Sequence, residues 1–409
     1  MSVEPAVITG LGAVTPAGTT LDDIWSALCA GRSLAAPDPR LAGLPVDFSC
    51  RVTGFDAEAE LGRGRIRRLD DPALFALAAA RRAVAHAGLD PTAWRSERVG
   101  VVLGVGSNSL TTYSTEFAHL TNGAATRVSP WAVPRSVPNM VAAEVAIDLR
   151  AQGPNFTVSS ACASGATAIG VARDMLRAGV CDIVLAGGSE SGCTPMTAAC
   201  FHQMRALSRR RDQPHLASRP FDCERDGFVL GEGAAVLVLE RRATAKARNA
   251  TALALVQGYG AGCDAYHPIA PSPQGEGTVR AVRTALKDAG RTTARIGHVN
   301  AHGTSTRLND AAETAALSRV FAKRCPPVTA PKGVIGHSLG ASGAIDAVCT
   351  VLSLVHQVIP PTANFGVQDG EACKLDVVAG LPRPAAMTTA LSTSCGFGGQ
   401  NAALVFALE

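Results

Sequence analysis

The sequence predicts an α/β protein assembled from a duplicated strand-and-helix unit, and three observations carry that prediction. Two distant passages resemble each other: Ala83-Val84-Ala85-His86-Ala87-Gly88 leading to Val99-Gly100-Val101-Val102-Leu103-Gly104, and Thr284-Ala285-Leu286-Lys287-Asp288-Ala289-Gly290 leading to Ile296-Gly297-His298-Val299-Asn300. Each reads as a helix, an Ala-Gly stop and a buried strand. A second pair follows in the same order, because Ala163-Ser164-Gly165-Ala166 after Cys162 matches Ala341-Ser342-Gly343-Ala344 after His337. Order kept twice suggests an internal duplication, with halves at residues 1–250 and 251–409. Finally, 409 residues of which 47% are hydrophobic can bury a core large enough for more than one unit.

Taken in order, Ala6 to Gly10 reads as a buried strand. The following Gly10-Leu11-Gly12-Ala13-Val14-Thr15 begins like a dinucleotide fingerprint but lacks the third glycine, and reads as a strand and turn. Leu21 to Ala30 is a helix begun by Thr20 or Asp22, followed by a polar, Pro-rich passage to about Phe55. Arg63, Arg65, Arg67 and Arg68 form a basic run before an alanine-rich helix, Pro72 to Ala87; such a run is usually a solvated face. Ser107 to Leu149, which holds Trp131, reads as an insertion that the second half lacks, and insertions are where pockets and subunit contacts tend to be built.

Asn155 to Gly170 then reads as a buried strand turning abruptly into a helix of small residues, with Cys162 at the junction. A thiol there faces unpaired N–H groups and the positive end of the helix dipole, which favours thiolate and supplies donors for an oxyanion. A single cysteine is more often a packed core residue, so the remaining loops must decide. Ile183 to Gly188 and Ala234 to Leu239 are further buried strands. In the second half, Asn300 to Thr306, Lys332 to His337 and Cys395 to Asn401 are polar, glycine-lined loops at element ends. Ligand sites of α/β proteins gather at the carboxyl ends of strands, so the related junctions at Cys162 and His337 are expected to face one site.

Several function classes lose ground on composition. Val3 to Gly10 carries no basic segment followed by an apolar one, and no apolar run approaches the roughly 18 residues of a membrane span, so a cytoplasmic location away from membranes is expected. Twelve cysteines without CxxC pairs read as reduced thiols. A net charge of +4 is too small to argue for nucleic acid, yet is compatible with an acidic protein partner met through a local basic patch. Gly336-His337-Ser338-Leu339-Gly340 satisfies the G-x-S-x-G pattern of serine hydrolases, but only His356 follows, inside an apolar helix, where an acid and a histidine are required. A metal site from Cys162, His302 and His337 lacks paired ligand spacing.

Together the loops closely resemble the elongating β-ketoacyl-ACP synthases, KAS II-type enzymes and type II polyketide ketosynthases of the thiolase superfamily. The resemblance runs from Val7 to the end. It rests on Ser160-Ala161-Cys162-Ala163-Ser164-Gly165, Arg219-Pro220-Phe221-Asp222-Cys223-Glu224-Arg225-Asp226-Gly227-Phe228, Asn300-Ala301-His302-Gly303-Thr304, Lys332 with Gly336-His337, and Gly396-Phe397-Gly398-Gly399. It implies a thiolase-like, duplicated, five-layered αβαβα fold, a dimer, and a Cys-His-His site that joins an acyl group to malonyl-ACP with loss of carbon dioxide. By that resemblance Cys162 takes the acyl group, His302 and His337 stabilise the enolate, and the N–H groups of Cys162 and Phe397 form the oxyanion hole. Lys332 and Glu313 support the histidines, Thr304 and Thr306 bind the phosphopantetheine arm, and Phe397 gates the acyl pocket. The resemblance implies no metal and no cofactor, since the substrates ride on the carrier protein.

Arg67, Arg68, Arg127 and Arg205 stand at positions resembling the family's docking face for the acidic acyl carrier protein. The same resemblance implies that the strand Phe156 to Ser160 lies at a subunit interface, with Trp131 close to the other subunit's substrate. Two departures bear on the substrate: Cys395 replaces a frequent Phe, and polar Asn108, between Ser107 and Ser109, replaces an apolar residue at the pocket floor. These lean toward a polyketide or other specialised pathway, in which the second subunit is either identical or a homologous chain-length factor. Retention of Cys162, His302 and His337 makes this chain the catalytic member and not a non-catalytic chain-length partner.

Overall fold

The computed structural model describes residues 5–107, 109–322, 324–370 and 374–409. Its largest sheet has ten strands: β1 (Ala6–Val14), β2 (Val99–Gly104), β3 (Asn155–Val158), β4 (Ile183–Ser191), β5 (Glu232–Arg241), β6 (Ala254–Cys263), β7 (His298–Asn300), β8 (Val328–Thr329), β9 (Thr389–Gly396) and β10 (Gln400–Ala407). The spatial order is β3-β2-β4-β5-β1 in the first half and β8-β7-β9-β10-β6 in the second. These are one topology used twice. In each half the first strand lies antiparallel to the fifth, the fifth antiparallel to the fourth, and the second, third and fourth run parallel. The blocks join where β1 pairs with β6, Ala6 opposite Val256 and Ile8 opposite Ala254.

Parallel strands need crossover helices and buried faces, and both are present. Helices α1 (Asp71–His86) and α2 (Asn139–Asp148) cover the outside of the first block. Helices α3 (Ser164–Arg177) and α6 (Ser342–His356) fill the space between the blocks, and α4 (Glu276–Asp288) and α5 (Arg307–Phe321) cover the second. The result is five alternating layers. Leu339–His356 is long and apolar enough to cross a membrane by composition, but 83% of it is buried as this central helix.

Glycines set the layer spacing. A Cβ on Gly10 or Gly12 would stand 2.2 or 2.1 Å from the Ala83 or Ala79 carbonyl oxygen of α1. On Gly258 or Gly260 it would meet the Ala285 or Ala281 carbonyl of α4 at the same two distances. The expected turn at Gly10-Leu11-Gly12 is therefore strand: β1 continues to Val14, because its glycines let α1 lie directly on the sheet. At the centre the contact is reciprocal, a Cβ on Gly165 falling 2.6 Å from the Ala344 nitrogen and one on Gly343 2.6 Å from the Ala166 nitrogen.

The insertion expected at Ser107 to Leu149 is shorter than the sequence suggested. Its last helix, α2, is the crossover between β2 and β3, and α5 is its counterpart between β7 and β8. The additional material is the stretch before α2, with helices Leu110–Thr121 and Ala132–Ser136.

Candidate active site

Cys162 stands after β3 on a strained turn. Ala161 has φ of 50°, a left-handed conformation that costs a residue with a Cβ about 1–2 kcal/mol and persists only where the surroundings hold it. Here Ser164 holds it, its hydroxyl accepting from the Ser160 N–H at 2.9 Å and donating to the Ala161 carbonyl at 2.5 Å. The thiol then faces a cavity of about 260 Å³ that His302, His337, Thr304, Thr306, Phe397 and Arg205 also line. The N–H groups of Cys162 and Phe397 favour negative charge on the sulfur. Cys162 is partly accessible from this cavity but otherwise enclosed, and burial pushes the thiol up to about 12, outweighing the Lys332 charge and the two N–H groups that pull the other way. The thiolate expected from the helix terminus is thus corrected: the Lys332 charge and the two N–H groups favour it, but desolvation is larger.

The histidines come from the second half. His302 and His337 meet edge to face across the cavity, and both are held well below the usual imidazole value, by burial first and then by the Lys332 charge. Both rings are therefore neutral at pH 7. Nδ1 of His337 contacts the Ser342 hydroxyl at 2.8 Å, which leaves Nε2 for the cavity. Lys332 does not line the cavity; its buried Nζ donates to Asp346 Oδ2 at 2.6 Å. Burial pushes the Asp346 carboxyl up to about 6, so at neutral pH it faces the ammonium as a carboxylate.

Glu313 also lies outside the cavity. Its Oε1 accepts from the His302 N–H and the Thr393 hydroxyl, and its Oε2 accepts from the Gly303 N–H, each within 2.8 Å. It fixes the loop that carries His302 and does not line the cavity, so it is not placed to bind a substrate directly. Thr304 and Thr306 join hydroxyls at 2.9 Å on the cavity wall. Arg205 stands exposed at the mouth; Arg67, Arg68 and Arg127 are exposed elsewhere, and Arg68 lies over the Trp131 ring at 5.5 Å. Trp131 does not line this chain's cavity, and Asn108 falls outside the described residues. Ser338 is buried with its hydroxyl directed at the Glu232 carbonyl, away from the cavity, which removes the hydrolase reading.

Several residues had drawn no role from sequence. Phe201 joins Phe397 to Phe228, which abuts His337, in a row of rings with centroids 5.9, 5.2 and 5.2 Å apart. Arg307 and Asp226 line the mouth. Asp346 is the buried partner of Lys332, and its signal was a single acid in the apolar run Gly343 to Leu354. Glu190 is a like case in β4; burial pushes it up to about 7 while the Gly106 N–H and the Ser107 hydroxyl hold it.

Comparison with known proteins agrees with this geometry. The family description "Beta-ketoacyl synthase, N-terminal domain" matches residues 3–245, and "Beta-ketoacyl synthase, C-terminal domain" matches residues 253–366. A 3-oxoacyl-[acyl-carrier-protein] synthase 2 of Synechocystis sp. is 41% identical over 406 residues, covering 98% of this chain and 97% of the relative. The solved ishigamide ketosynthase/chain length factor superposes with a TM-score of 0.94 at 33% identity, over 100% of both chains. A type II PKS acyl-carrier protein in complex with its ketosynthase, bound to the hexaketide, matches at 0.92 and 28%, again over 100% of both. With both halves matched and the relative aligned from end to end, the chain belongs to the β-ketoacyl synthase family.

Proposed function

We propose that this chain is a β-ketoacyl-ACP synthase in which Cys162, His302 and His337 carry the chemistry. The observation behind the assignment is their convergence on one cavity, where the Cys162 and Phe397 N–H groups favour negative charge on the sulfur. In the first step Cys162 attacks the acyl thioester of a carrier protein, the C–S bond to the pantetheine sulfur breaks, and the Cys162 proton ends on that departing thiol. In the second, malonyl-ACP loses carbon dioxide, and the electron pair left behind forms an enolate. Its carbon attacks the acyl carbonyl and expels the Cys162 sulfur, so one hard bond formation is divided into two steps. Neutral imidazoles donating from Nε2 of His302 and His337 would stabilise the enolate oxygen, and the N–H groups of Cys162 and Phe397 the tetrahedral one.

Thr304 and Thr306 would receive the phosphopantetheine arm, since their paired hydroxyls line the wall between the mouth and Cys162. Exposed Arg67, Arg127 and Arg205 pair with no carboxylate among the described residues and suit an acidic carrier protein. Strand β3 suits a subunit interface, being the end strand of the first block with its free side outward and Phe156 37% exposed. A second subunit there, identical or a chain-length factor, would bring its own Trp131 region toward this tunnel, and Asn108 would then bear on chain length. Residues 1–250 and 251–409 would each act as one half of the duplicated fold, and neither a metal nor a nicotinamide enters this chemistry.

The test is reconstitution. Purified chain, acyl-ACP and malonyl-ACP should give a product longer by two carbons by intact mass, and Cys162→Ala should give none. Turnover by Cys162→Ala, or labelling of Ser338 by a fluorophosphonate, would sink the assignment.

A further inference from the structure

The segment Ser218 to Phe228 has no part in the chemistry above, yet it buckles over the loop that follows His302. Gly303 and Ser305 on that loop have φ of 38° and 68°, and Phe221 on the segment has φ of 66°. Glycine takes such a φ freely, but the two positions that carry a Cβ, Ser305 and Phe221, need outside restraint. The restraints run from the segment to the loop and the helix after it: the Arg219 N–H donates to the Ser305 hydroxyl at 2.9 Å, the Gly227 N–H to the Ser305 carbonyl at 3.1 Å, and the Phe221 N–H to Asp310 at 2.8 Å. A Cβ on Gly303 would meet the Phe221 ring at 3.1 Å.

Arg225 lies at the centre of this buckle, 1% exposed and among the largest fully buried side chains of the protein. Its guanidinium donates to the Asp222 carbonyl at 2.8 Å and to Asp369 at 2.7 Å, and lies 3.6 Å from Asp310. The remaining N–H groups reach the Thr306 and Arg307 carbonyls, each at 3.4 Å, and Arg307 Nε returns a bond to the Arg225 carbonyl. A charged donor is buried where a neutral one could fill the space, and it grips the backbone of two residues that line the cavity.

We propose that Arg225 is a positioning residue of the condensation, holding the Thr306 and Arg307 backbone so that the Thr304 and Thr306 hydroxyls face the substrate's carrier arm at a fixed height. It acts through them and touches no substrate. The inference rests on the assignment of the two threonines to the arm, and the experiment separates the two claims.

Condensation is measured with malonyl-ACP and with malonyl-N-acetylcysteamine, which carries only the end of the arm, for wild type, Arg225→Lys, Asp369→Asn and Thr306→Val. Lysine keeps the charge but cannot span the fork of acceptors, so Arg225→Lys should raise KM for malonyl-ACP about tenfold while kcat changes about twofold or less. KM for the truncated thioester and the rate of Cys162 alkylation by iodoacetamide should stay within about twofold of wild type. Asp369 is 40% exposed, so Asp369→Asn leaves the interior filled, and it should raise KM for malonyl-ACP in the same direction by a smaller factor. This variant serves if Arg225→Lys does not fold. If Thr306→Val raises KM but neither the Arg225 nor the Asp369 variant does, the positioning role is overturned and the arm assignment stands. If Thr306→Val leaves KM unchanged, both are overturned. Equal losses with the two thioesters, together with slowed alkylation, would show a merely structural Arg225 and overturn the proposal.

Discussion

The imidazoles of His302 and His337 stand with centroids 5.2 Å apart and planes at 84°, two neutral rings facing each other above a buried ammonium. Neither titrates near neutrality, because burial and Lys332 both oppose a second positive charge. The condensation rate should therefore show no step of histidine origin between pH 8 and pH 6. Replacing either ring by glutamine should slow malonyl-ACP decarboxylation by about a hundredfold or more. An inflection near the usual histidine value that disappears in His302→Gln would contradict the neutral pair.

Cys162 is expected to be a reluctant nucleophile in the resting protein. With its thiol pushed up to about 12, the thiolate fraction is small, and alkylation of Cys162 by iodoacetamide should quicken by about tenfold per pH unit from 7 to 9. Site-resolved mass spectrometry reads this directly against exposed Cys200, Cys223 and Cys263. A rate already at its plateau at pH 7 would mean that the helix terminus outweighs burial.

His298 gives a stability test independent of catalysis. It is buried at the start of β7, neither ring nitrogen has a hydrogen-bond partner among the described residues, and burial alone lowers it to about 3. As pH falls below the unfolded value near 6.5, the unfolded chain binds a proton that the folded chain refuses, so folding loses about 1.4 kcal/mol per pH unit from this ring. His298→Leu lacks that loss. Its stability relative to wild type should rise by about that amount between pH 6 and pH 5 in urea titrations, and a constant difference would mean that the ring titrates alike in both states.

The open side of β3 should govern assembly. A charge at Phe156 opposes burial at a strand-to-strand contact, so in sedimentation at micromolar concentration the wild type should run as a dimer and Phe156→Asp as a folded monomer. A species of unchanged mass would place the interface elsewhere.

How far the sequence could be read depended on whether a residue announces itself locally. Cys162 and His337 did, because the duplicated Ala-Ser-Gly-Ala after each marks a strand-to-helix junction, and those junctions do meet. Asp346 did so only in part: a lone acid in an apolar run marks a buried charge, but its partner Lys332 is on another element, and pairing between side chains leaves no periodic trace. Gly10 and Gly12 misled for the opposite reason. They look like a turn along the chain, yet the carbonyls of α1 that require them come from residues far away in sequence. The Cys162 thiol misled through competing magnitudes, as the dipole is visible at a helix start while desolvation requires knowledge of everything packed around it.

The crossing of Gly165 and Gly343 also governs when this protein can work. A growing polypeptide presents α3 and its thiol long before α6 has been synthesised, and until then the glycine face of α3 has no helix to rest against. His337 and the Ser342 that holds it arrive on the same late stretch as that covering helix. Maturation of the nucleophile's surroundings is thereby tied to a late stage of translation: a chain interrupted before residue 302 carries a cysteine with neither histidine partner, and one interrupted between 302 and 337 carries only the first.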